Sequence, residues 1–435
     1  MQEYAEAQGL SGENREGGGE AGQESGEVNK PKPYEYGLPF EEWWEGQYEA
    51  VVGCQEILAR KPICFLLADT GAGKSGISKA IARDFYQSTA LTKTISLQEQ
   101  YGKLTGTEIG KGRSHWDCWR GIDALTCMKR GLCEGQCEYR RHVGRLEMQP
   151  FRILNYAQFL ALNIAREGGF ASDLVICDEG HGLEGAVLSF CEMWYGNVPT
   201  WGSEYNHLLF DHGRKFLIMS ASMVPSLVAE TMGIRDEDYE VYEALNDFPA
   251  SSNPVFVRPV GYITAAHPYT DRIVRWIDAH LDSTTANGVI HTSSDRQTQA
   301  ILDETRHRGR FIWPKGQTRA RAFETFKQAG PGAGAVLISA SAHEGQDFPD
   351  DQCRWQIITK VPYADLSSPH VRARRQERPE IYQLEALQRI QQASGRGMRS
   401  KEDFCVNYIL DGNVLGLYKK QGHLLSQRFQ DSWKG

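Results

Sequence analysis

Short apolar segments recur along the chain, and helical patterns of apolar residues follow most of them. Each segment is continuously apolar with polar residues at its ends, which is typical of a strand buried on both faces of a parallel sheet. Strands that alternate with helices over 435 residues predict an α/β protein with two doubly wound parallel-sheet lobes. The predicted strands are 63–68, 94–97, 174–177, 216–220, 288–292, 335–339, 355–361 and 406–410.

Composition divides the chain into an N-terminal tail, two lobes and a connection. Residues 1–32 are rich in Gly, Gln, Ser and Glu, and because they have almost nothing to bury we expect this tail to be disordered. We assign 33–224 to the first lobe, 225–259, with its acidic run and prolines, to the connection, and 260–435 to the second lobe. An acidic start and the lack of any apolar run of membrane-spanning length predict a cytoplasmic protein without a membrane partner.

The net charge of −8 is distributed unevenly. Residues 1–28 contribute −6, from seven Glu and one Arg, which leaves −2 for the remainder. Residues 111–145 carry eight Lys or Arg against four Asp or Glu, and a second arginine-rich stretch runs over 372–399. Such stretches are solvated faces in many proteins, but local positive patches are also what the phosphates of a nucleic acid require.

The strand predicted at 63–68 leads into a glycine-rich loop, and a helical pattern follows over 76–85. The loop matches Gly-x4-Gly-Lys-Ser except that Ala68 replaces the first Gly. Its glycines allow backbone N–H groups to turn inward around phosphates, and the N-terminus of the following helix adds a favourable dipole. Lys74 is expected to neutralise the β- and γ-phosphates of ATP, and Ser75 to bind Mg²⁺. The predicted ATP-binding loop comprises Thr70, Gly71, Ala72, Gly73, Lys74 and Ser75.

The strand predicted at 174–177 ends in two adjacent carboxylates, Asp178 and Glu179. Many strands end in polar residues, but here a phosphate-binding loop lies upstream in the same lobe. We therefore expect Asp178 to hold Mg²⁺ together with Ser75. Glu179 is placed to orient and deprotonate the attacking water, as in an ATP hydrolase.

The segment Asp178-Glu-Gly-His181 is similar to a DEAH box with Gly in place of Ala. Over most of residues 35–415 the chain resembles superfamily 2 helicases and, among them, the iron–sulfur helicases of the XPD/DinG family. The resemblance implies two recA-like lobes and an ATP-dependent DNA helicase or single-strand translocase with 5′→3′ polarity. It implies single-stranded or forked DNA as the partner, and we expect the protein to be a monomer.

Other segments of the first lobe carry the same resemblance. Gln47 is similar to the family's adenine-reading Gln, and 91–100 looks like motif Ia, which contacts the nucleic-acid backbone. Ser220-Ala-Ser-Met223 is similar to motif III, with Ser222 in place of the usual Thr. The resemblance implies that His181, Ser220 and Ser222 couple ATP hydrolysis to the bound strand.

Two segments of the second lobe resemble motifs V and VI. The first is Glu344-Gly-Gln-Asp-Phe348, in which Glu344 and Asp347 match the motif, and the second is the segment 392–399. The resemblance implies catalytic roles for Gln392, Arg396 and Arg399, and a planar, permanently charged guanidinium suits the γ-phosphate. If the arginines reach it from the second lobe, hydrolysis requires the lobes to close, which converts ATP binding into motion.

A cluster of cysteines lies between the P-loop and the DEAH-like box, in an insertion over about 111–145. Cys118, Cys127, Cys133 and Cys137 follow the spacing C-x8-C-x5-C-x3-C, and four thiolates can close around Zn²⁺ or a [4Fe–4S] cluster. The resemblance favours [4Fe–4S], because XPD and DinG carry their cluster ligands in this interval, with zinc as the alternative. The large helical Arch domain of these relatives is missing here or reduced to a short hairpin.

Two other functions remain open from the sequence. The chain could be an RNA helicase of the DEAH type, although the cysteine cluster speaks against this. It could also be an ATP-gated clamp that binds nucleic acid without unwinding it. Unwinding measured beside stimulated ATP hydrolysis separates these possibilities.

Overall fold

The computed structural model describes residues 30–69, 71–132, 137–165, 169–196, 201–244, 248–314, 318–340, 348–398 and 400–435. The disorder predicted for 1–32 falls almost entirely outside these ranges. The described chain forms two compact units. The first unit contains 32–246 and 364–382, and the second contains 247–363 and 383–435.

The first unit is built on a parallel sheet with the strand order β3-β2-β4-β5-β1-β6. The second unit has a parallel sheet of its own, with the order β7-β12-β11-β8-β10-β9. The strands are β1 Ile63–Ala68, β2 Ser88–Thr92, β3 Phe151–Asn155, β4 Ser172–Asp178, β5 Gly213–Ser220, β6 Tyr239–Ala244, β7 Val255–Gly261, β8 Gly288–His291, β9 Phe311–Ile312, β10 Val336–Ser339, β11 Trp355–Ile358 and β12 Val406–Asp411.

Helices follow most of the strands, as the alternating pattern predicts. They are α1 Gln47–Arg60, α2 Lys74–Ile81, α3 Ile95–Thr105, α4 Ala124–Lys129, α5 Glu138–Glu147, α6 Tyr156–Ala165, α7 Leu183–Tyr195, α8 His207–Phe210, α9 Pro225–Met232, α10 Thr270–Ser283, α11 Asp295–Glu304, α12 Arg319–Lys327, α13 Pro369–Glu377, α14 Pro379–Ser394, α15 Asn413–Gln421 and α16 Gln427–Ser432.

Each sheet is buried on both of its faces. In β1, Phe65 packs into one core cluster and its neighbour Leu66 packs into another, because successive side chains of a strand point to opposite faces. In the second unit, Val289 and Ile290 of β8 divide in the same way. Two doubly wound α/β lobes are therefore confirmed.

The strand predicted at 94–97 is wrong. Thr94 is instead the N-cap of α3, where its Oγ1 accepts a hydrogen bond of 3.3 Å from the Leu97 N–H, and the strand lies earlier, at β2. Threonine at an N-cap satisfies an amide that has no partner within the helix. The apolar residues after it belong to a helix that begins directly beyond the strand.

The segment predicted to connect the lobes contributes regular structure to both units. Within 225–259, α9 and β6 belong to the first unit, where β6 pairs with β1, and β7 pairs with β12 in the second. The described residues of 225–259 are therefore divided between the two units. The acidic residues that indicated a linker lie around the start of β6, which is an edge strand.

Residues 364–382 also differ from the prediction, because they pack with the first unit and not with the rest of 260–435. Arg374 of α13 donates to Glu184 of α7 at 2.8 Å, and both side chains are buried. His370 Nδ1 lies 3.0 Å from a Glu192 carboxylate oxygen. This α13 segment therefore contacts residues of the first unit that are far away in the sequence, through one ion pair and one hydrogen bond.

In the described ranges, every helix is too short or too polar to cross a membrane.

Candidate functional site

The loop between β1 and α2 has the backbone geometry of a phosphate cradle. Gly71 and Gly73 have φ values of 91° and 72°, which favour glycine, and Gly73 is the N-cap of α2. The Lys74 Nζ donates to the backbone oxygens of Ala68 and Asp69 at 3.1 and 3.2 Å. The ammonium group is thus held at the mouth of the loop, beside the helix N-terminus. Thr70 lies outside the described residues.

Gln47 lies against this loop. Its Nε2 donates to the Ala72 backbone oxygen at 3.2 Å, and its Oε1 accepts from the Trp44 N–H at 2.9 Å. A Cβ placed on Gly73 would lie 1.9 Å from the Gln47 Nε2, so a side chain there would displace the amide. Gln47 is therefore held beside the predicted phosphate site.

Trp44, which was not predicted as a site residue, has its indole beside Gly73 of the same loop. Its side chain is 58% exposed, and its Cε3 atom would be 3.7 Å from a Cβ on Gly73. An exposed indole has a flat apolar face on which another aromatic ring can stack. The available signal was a Trp three positions before the Gln.

The carboxyl group of Asp178 is buried at the end of β4. Burial and the neighbouring Glu179 carboxylate raise the pKa of Asp178 to about 7, although Lys74 opposes the shift. A buried carboxyl in this state is ionised more readily with a cation beside it, so its surroundings fit Mg²⁺. The Tyr101 hydroxyl hydrogen-bonds the Ser78 Oγ at 3.2 Å, and burial and the Asp178 carboxylate raise the pKa of Tyr101. Tyr101 therefore lies near both Asp178 and α2, the helix to which Ser75 belongs.

Glu179 has a left-handed backbone conformation, with φ 55° and ψ 48°. This region is uncommon for residues other than glycine, and such strain is concentrated at functional sites. Its Oε2 lies 3.3 Å from the His181 Nδ1. The Tyr156 hydroxyl donates to the Asp178 backbone oxygen at 2.9 Å and so holds the end of β4.

The predicted coupling residues of the first lobe lie together. The His181 Nδ1 is 3.1 Å from the Ser220 Oγ, which also accepts a hydrogen bond of 3.2 Å from the Ser222 N–H. Ser220 ends β5, and β5 lies between β4 and β1 in the sheet. A contiguous set of contacts therefore runs from Glu179 through His181 to the 220–222 segment.

The surroundings of Gly180 explain why the segment 178–181 has Gly where DEAH boxes have Ala. A Cβ at Gly180 would lie 2.5 Å from the Ile218 Cγ2 and 3.1 Å from the Met223 Sδ. The branched Ile218 side chain is fully buried, and Met219 of the same strand is buried too. The close approach of the loop to β5 thus requires glycine.

Of the residues predicted in motifs V and VI, the structure describes Gln392 and Arg396. Gln392 lies on α14, and Arg396 lies in the short turn Gly395–Gly397 that follows it, with its side chain 9% exposed. The Arg396 backbone oxygen accepts a hydrogen bond of 3.1 Å from the Phe348 N–H. Glu344, Asp347 and Arg399 lie outside the described residues.

Three of the predicted metal-binding cysteines, Cys118, Cys127 and Cys137, are described, and all three are buried; Cys133 lies outside the described residues. The sulfurs of Cys118 and Cys127 are 3.5 Å apart. Two thiolates on one tetrahedral Zn²⁺ lie about 3.8 Å apart, since Zn–S bonds are about 2.3 Å long. A four-iron cube has one iron for each thiolate and holds its sulfurs farther apart.

Within the described ranges, no group of three or more His, Cys, Asp or Glu side chains is placed to hold a metal ion. Buried thiols are the ligand type that a thiolate metal centre requires, and the two described sulfurs lie in direct contact.

The base of the insertion is held by a polar cluster without cysteines. His142 is buried, its Nε2 accepts from the Lys111 N–H at 3.1 Å, and its Nδ1 lies 2.8 Å from Glu108, which also pairs with Arg145. The hydrogen bonds from Arg145 and His142 hold the pKa of Glu108 at about 2. The His142 ring packs on Trp116 at 4.5 Å, so it is not available for a nucleobase. Trp119, by contrast, is 70% exposed.

Part of the chain is similar to a known domain, and the whole fold is similar to that of known structures. Residues 277–432 match the model of the helicase C-terminal domain, Helicase_C_2. No curated protein matches the chain. A structure of an XPD helicase is similar with a TM-score of 0.60 and 13% identity, over 88% of this chain and 98% of the other.

Two further structures are similar. An Xpd protein of S. tokodaii has a TM-score of 0.57 and 11% identity, over 90% of this chain and 99% of its own. The Mycobacterium smegmatis helicase Lhr, bound to ssDNA and AMP-PNP, has a TM-score of 0.52 and 13% identity, over 92% of this chain and 51% of its own. Residues 277–432 are therefore similar to the helicase C-terminal domain, and the chain has the fold of the XPD helicases.

Proposed function

We propose that the chain is an ATP-dependent helicase of superfamily 2 that acts on DNA and resembles the XPD/DinG enzymes. The observation that carries the proposal is the geometry of the first unit. There the P-loop follows β1, and the buried Asp178 and the strained Glu179 lie at the end of β4 in the same sheet. His181 links Glu179 to Ser220. The helicase C-terminal domain supports the same conclusion independently.

In this proposal each residue of the first unit has a distinct task in ATP hydrolysis. Lys74 binds the β- and γ-phosphates, and Ser75 and Asp178 hold Mg²⁺, which neutralises charge on the phosphates. Glu179 orients the water and accepts its proton. The chain of contacts from Glu179 to Ser222 transmits the state of the site to the segment that follows β5.

The proposed substrate is single-stranded or forked DNA, with 5′→3′ movement, and the proposed active species is a monomer. The structural neighbour Lhr was determined with ssDNA, and the similar helicase MrfA was determined with DNA. For Gln392, Arg396 and Arg399, as for Glu344 and Asp347, the roles rest on the resemblance of motifs V and VI.

The experiment that tests this function measures ATP hydrolysis and strand separation on the same protein. We expect single-stranded DNA to stimulate hydrolysis more than single-stranded RNA does, and forked duplexes with a 5′ tail to be unwound. Stimulation without unwinding would favour the ATP-gated clamp instead, and preferential stimulation by RNA would favour the DEAH-type RNA helicase. ATP hydrolysis that neither single-stranded DNA nor single-stranded RNA stimulates would contradict the proposed helicase function.

We further propose that Cys118, Cys127, Cys133 and Cys137 hold a metal centre in the insertion, a [4Fe–4S] cluster with zinc as the alternative. The support is the burial of the described thiols within a basic segment and the short separation between Cys118 and Cys127. The family resemblance favours iron. Such a centre would staple a subdomain that has little core of its own.

We expect anaerobically purified protein to be brown and to contain roughly four irons per chain, as one four-thiolate cluster requires. Cys127→Ser should lose the metal and expose 118–137 to limited proteolysis, while ATP binding survives. The His142 cluster should keep 108–111 and 138–145 protected, because it contains no metal ligand. The control is Cys191→Ser, a buried cysteine of α7 outside the cluster.

Colourless protein with stoichiometric zinc would replace the iron–sulfur assignment. Metal content unchanged in Cys127→Ser would remove this residue from the ligand set.

A further inference from the structure

Gln356, on β11 of the second unit, is fully buried and uses its whole amide group in hydrogen bonds. Its Oε1 lies 2.9 Å from the His291 Nε2, which donates to it. Its Nε2 donates to the Asn407 Oδ1 at 3.1 Å and to the Ser394 backbone oxygen at 3.2 Å. The Nε2 also donates to the Cys405 Sγ at 3.6 Å, and these acceptors on the nitrogen side define the orientation of the amide. Gln356 therefore joins β8, β11 and β12 to the end of α14.

The bond to Ser394 is made where the chain turns toward Arg396. Ser394 is the last residue of α14 and the N-cap of the turn Gly395–Gly397. On the far side of this turn, the Phe348 N–H donates to the Arg396 backbone oxygen, and a Cβ at Gly397 would lie 2.5 Å from the Cys405 Sγ. Gln356 supplies the side-chain hydrogen bond at the entry to the turn.

An apolar side chain could fill the position of Gln356 without any polar network. Val289, beside it on β8, is fully buried in an apolar cluster. A buried amide has to satisfy its donors and acceptor, and its partners lose theirs when it is removed. What the amide adds over an apolar side chain is a bond to the backbone that leads into Arg396.

We propose that Gln356 is a positioning residue for ATP hydrolysis. It acts through Ser394 to hold the backbone of the turn, and so sets the place from which the Arg396 side chain extends. The inference rests on the proposed catalytic role of Arg396. Because a displacement of about 1 Å in a catalytic group can lower a rate by about 10²-fold, a single hydrogen bond at the base of the turn is sufficient for this role.

The test compares Gln356→Met with Asn253→Ala. Methionine has a similar length and no amide, whereas Asn253 bonds Asn407 at 2.7 Å at the other end of the same buried network and makes no bond to Ser394. We expect both variants to lower the melting temperature. Gln356→Met should also lower kcat at saturating ATP by about 10- to 100-fold with unchanged nucleotide Kd, on the scale of such misplacements. Asn253→Ala should keep the kcat of the unmodified protein.

The decisive experiment compares the double variant Gln356→Met/Arg396→Ala with Arg396→Ala alone. If Gln356 acts through Arg396, the two proteins should have the same kcat. A kcat loss in Gln356→Met that multiplies with that of Arg396→Ala, or no loss at all, would overturn the positioning role. An Arg396→Ala protein with full kcat would instead overturn the proposed role of Arg396 itself. If the Met variant does not fold, Gln356→Asn replaces it, because the shorter amide cannot span from His291 to Ser394. The same loss and non-additivity are expected.

Discussion

Glu179→Gln is expected to lower ATP turnover by about 10²- to 10⁴-fold, the usual contribution of a general base. The amide has the shape of the carboxylate and can still orient a water molecule, but it cannot accept a proton. ATP should bind with nearly unchanged affinity, because the P-loop carries the phosphate contacts. The measurement is the rate of a single turnover together with nucleotide Kd.

Lys74→Ala is the matched control for this prediction. It removes a positive charge from the same site, whereas Glu179→Gln removes a negative one. The Lys74 ammonium lies at the mouth of the P-loop, so its loss should weaken nucleotide binding first. If Glu179→Gln retains a large share of the turnover, this residue is not the base. Loss of binding in both variants would indicate that the site itself has collapsed.

Arg396→Ala is expected to reduce kcat by about 10³- to 10⁵-fold, as the removal of arginine fingers does in other phosphoryl-transfer enzymes. Nucleotide affinity should remain largely intact, because the P-loop belongs to the first unit. The appropriate measurement is the hydrolysis rate per bound ATP in the presence of saturating single-stranded DNA.

Arg389→Ala is the control for the arginine of the turn. Arg389 lies on the same helix, α14, and its Nη1 donates to the Pro362 backbone oxygen at 3.0 Å. This variant should keep its hydrolysis rate per bound ATP. If Arg396→Ala loses affinity while its residual rate per bound ATP is normal, Arg396 is not a catalytic residue.

Much of the fold was predictable because its determinants are local. The apolar runs of β1, β4 and β5 are short, continuous and followed by helices, and the structure has strands at each of them. The Gly-rich loop and the pair Asp178–Glu179 could be placed at strand ends for the same reason. Their proximity follows from a general property of parallel sheets, whose carboxyl ends meet at one edge.

Two strands that were not predicted, β2 and β3, are buried but contain polar residues. In β2 the Thr89 Oγ1 lies 2.7 Å from the Ser172 Oγ, and the Ser88 Oγ donates to the Ala82 backbone oxygen. In β3, Arg152 is fully buried and donates to the Ala171 backbone oxygen. Hydrogen bonds to distant residues make these side chains compatible with the core. The apolar pattern alone does not contain that information.

The ion pair between Arg374 and Glu184 determines when the first unit can be completed during synthesis. Its partners are 190 residues apart, and α13 becomes available only after most of the second unit has been translated. At roughly 5–20 residues per second, Glu184 waits about ten to forty seconds until Arg374 has been synthesised. During that time Glu184 lacks the guanidinium that compensates its burial, a deficit of about 3–5 kcal/mol for a buried pair. A ribosome-bound intermediate that lacks α13 is therefore the species on which a chaperone or a protease would act.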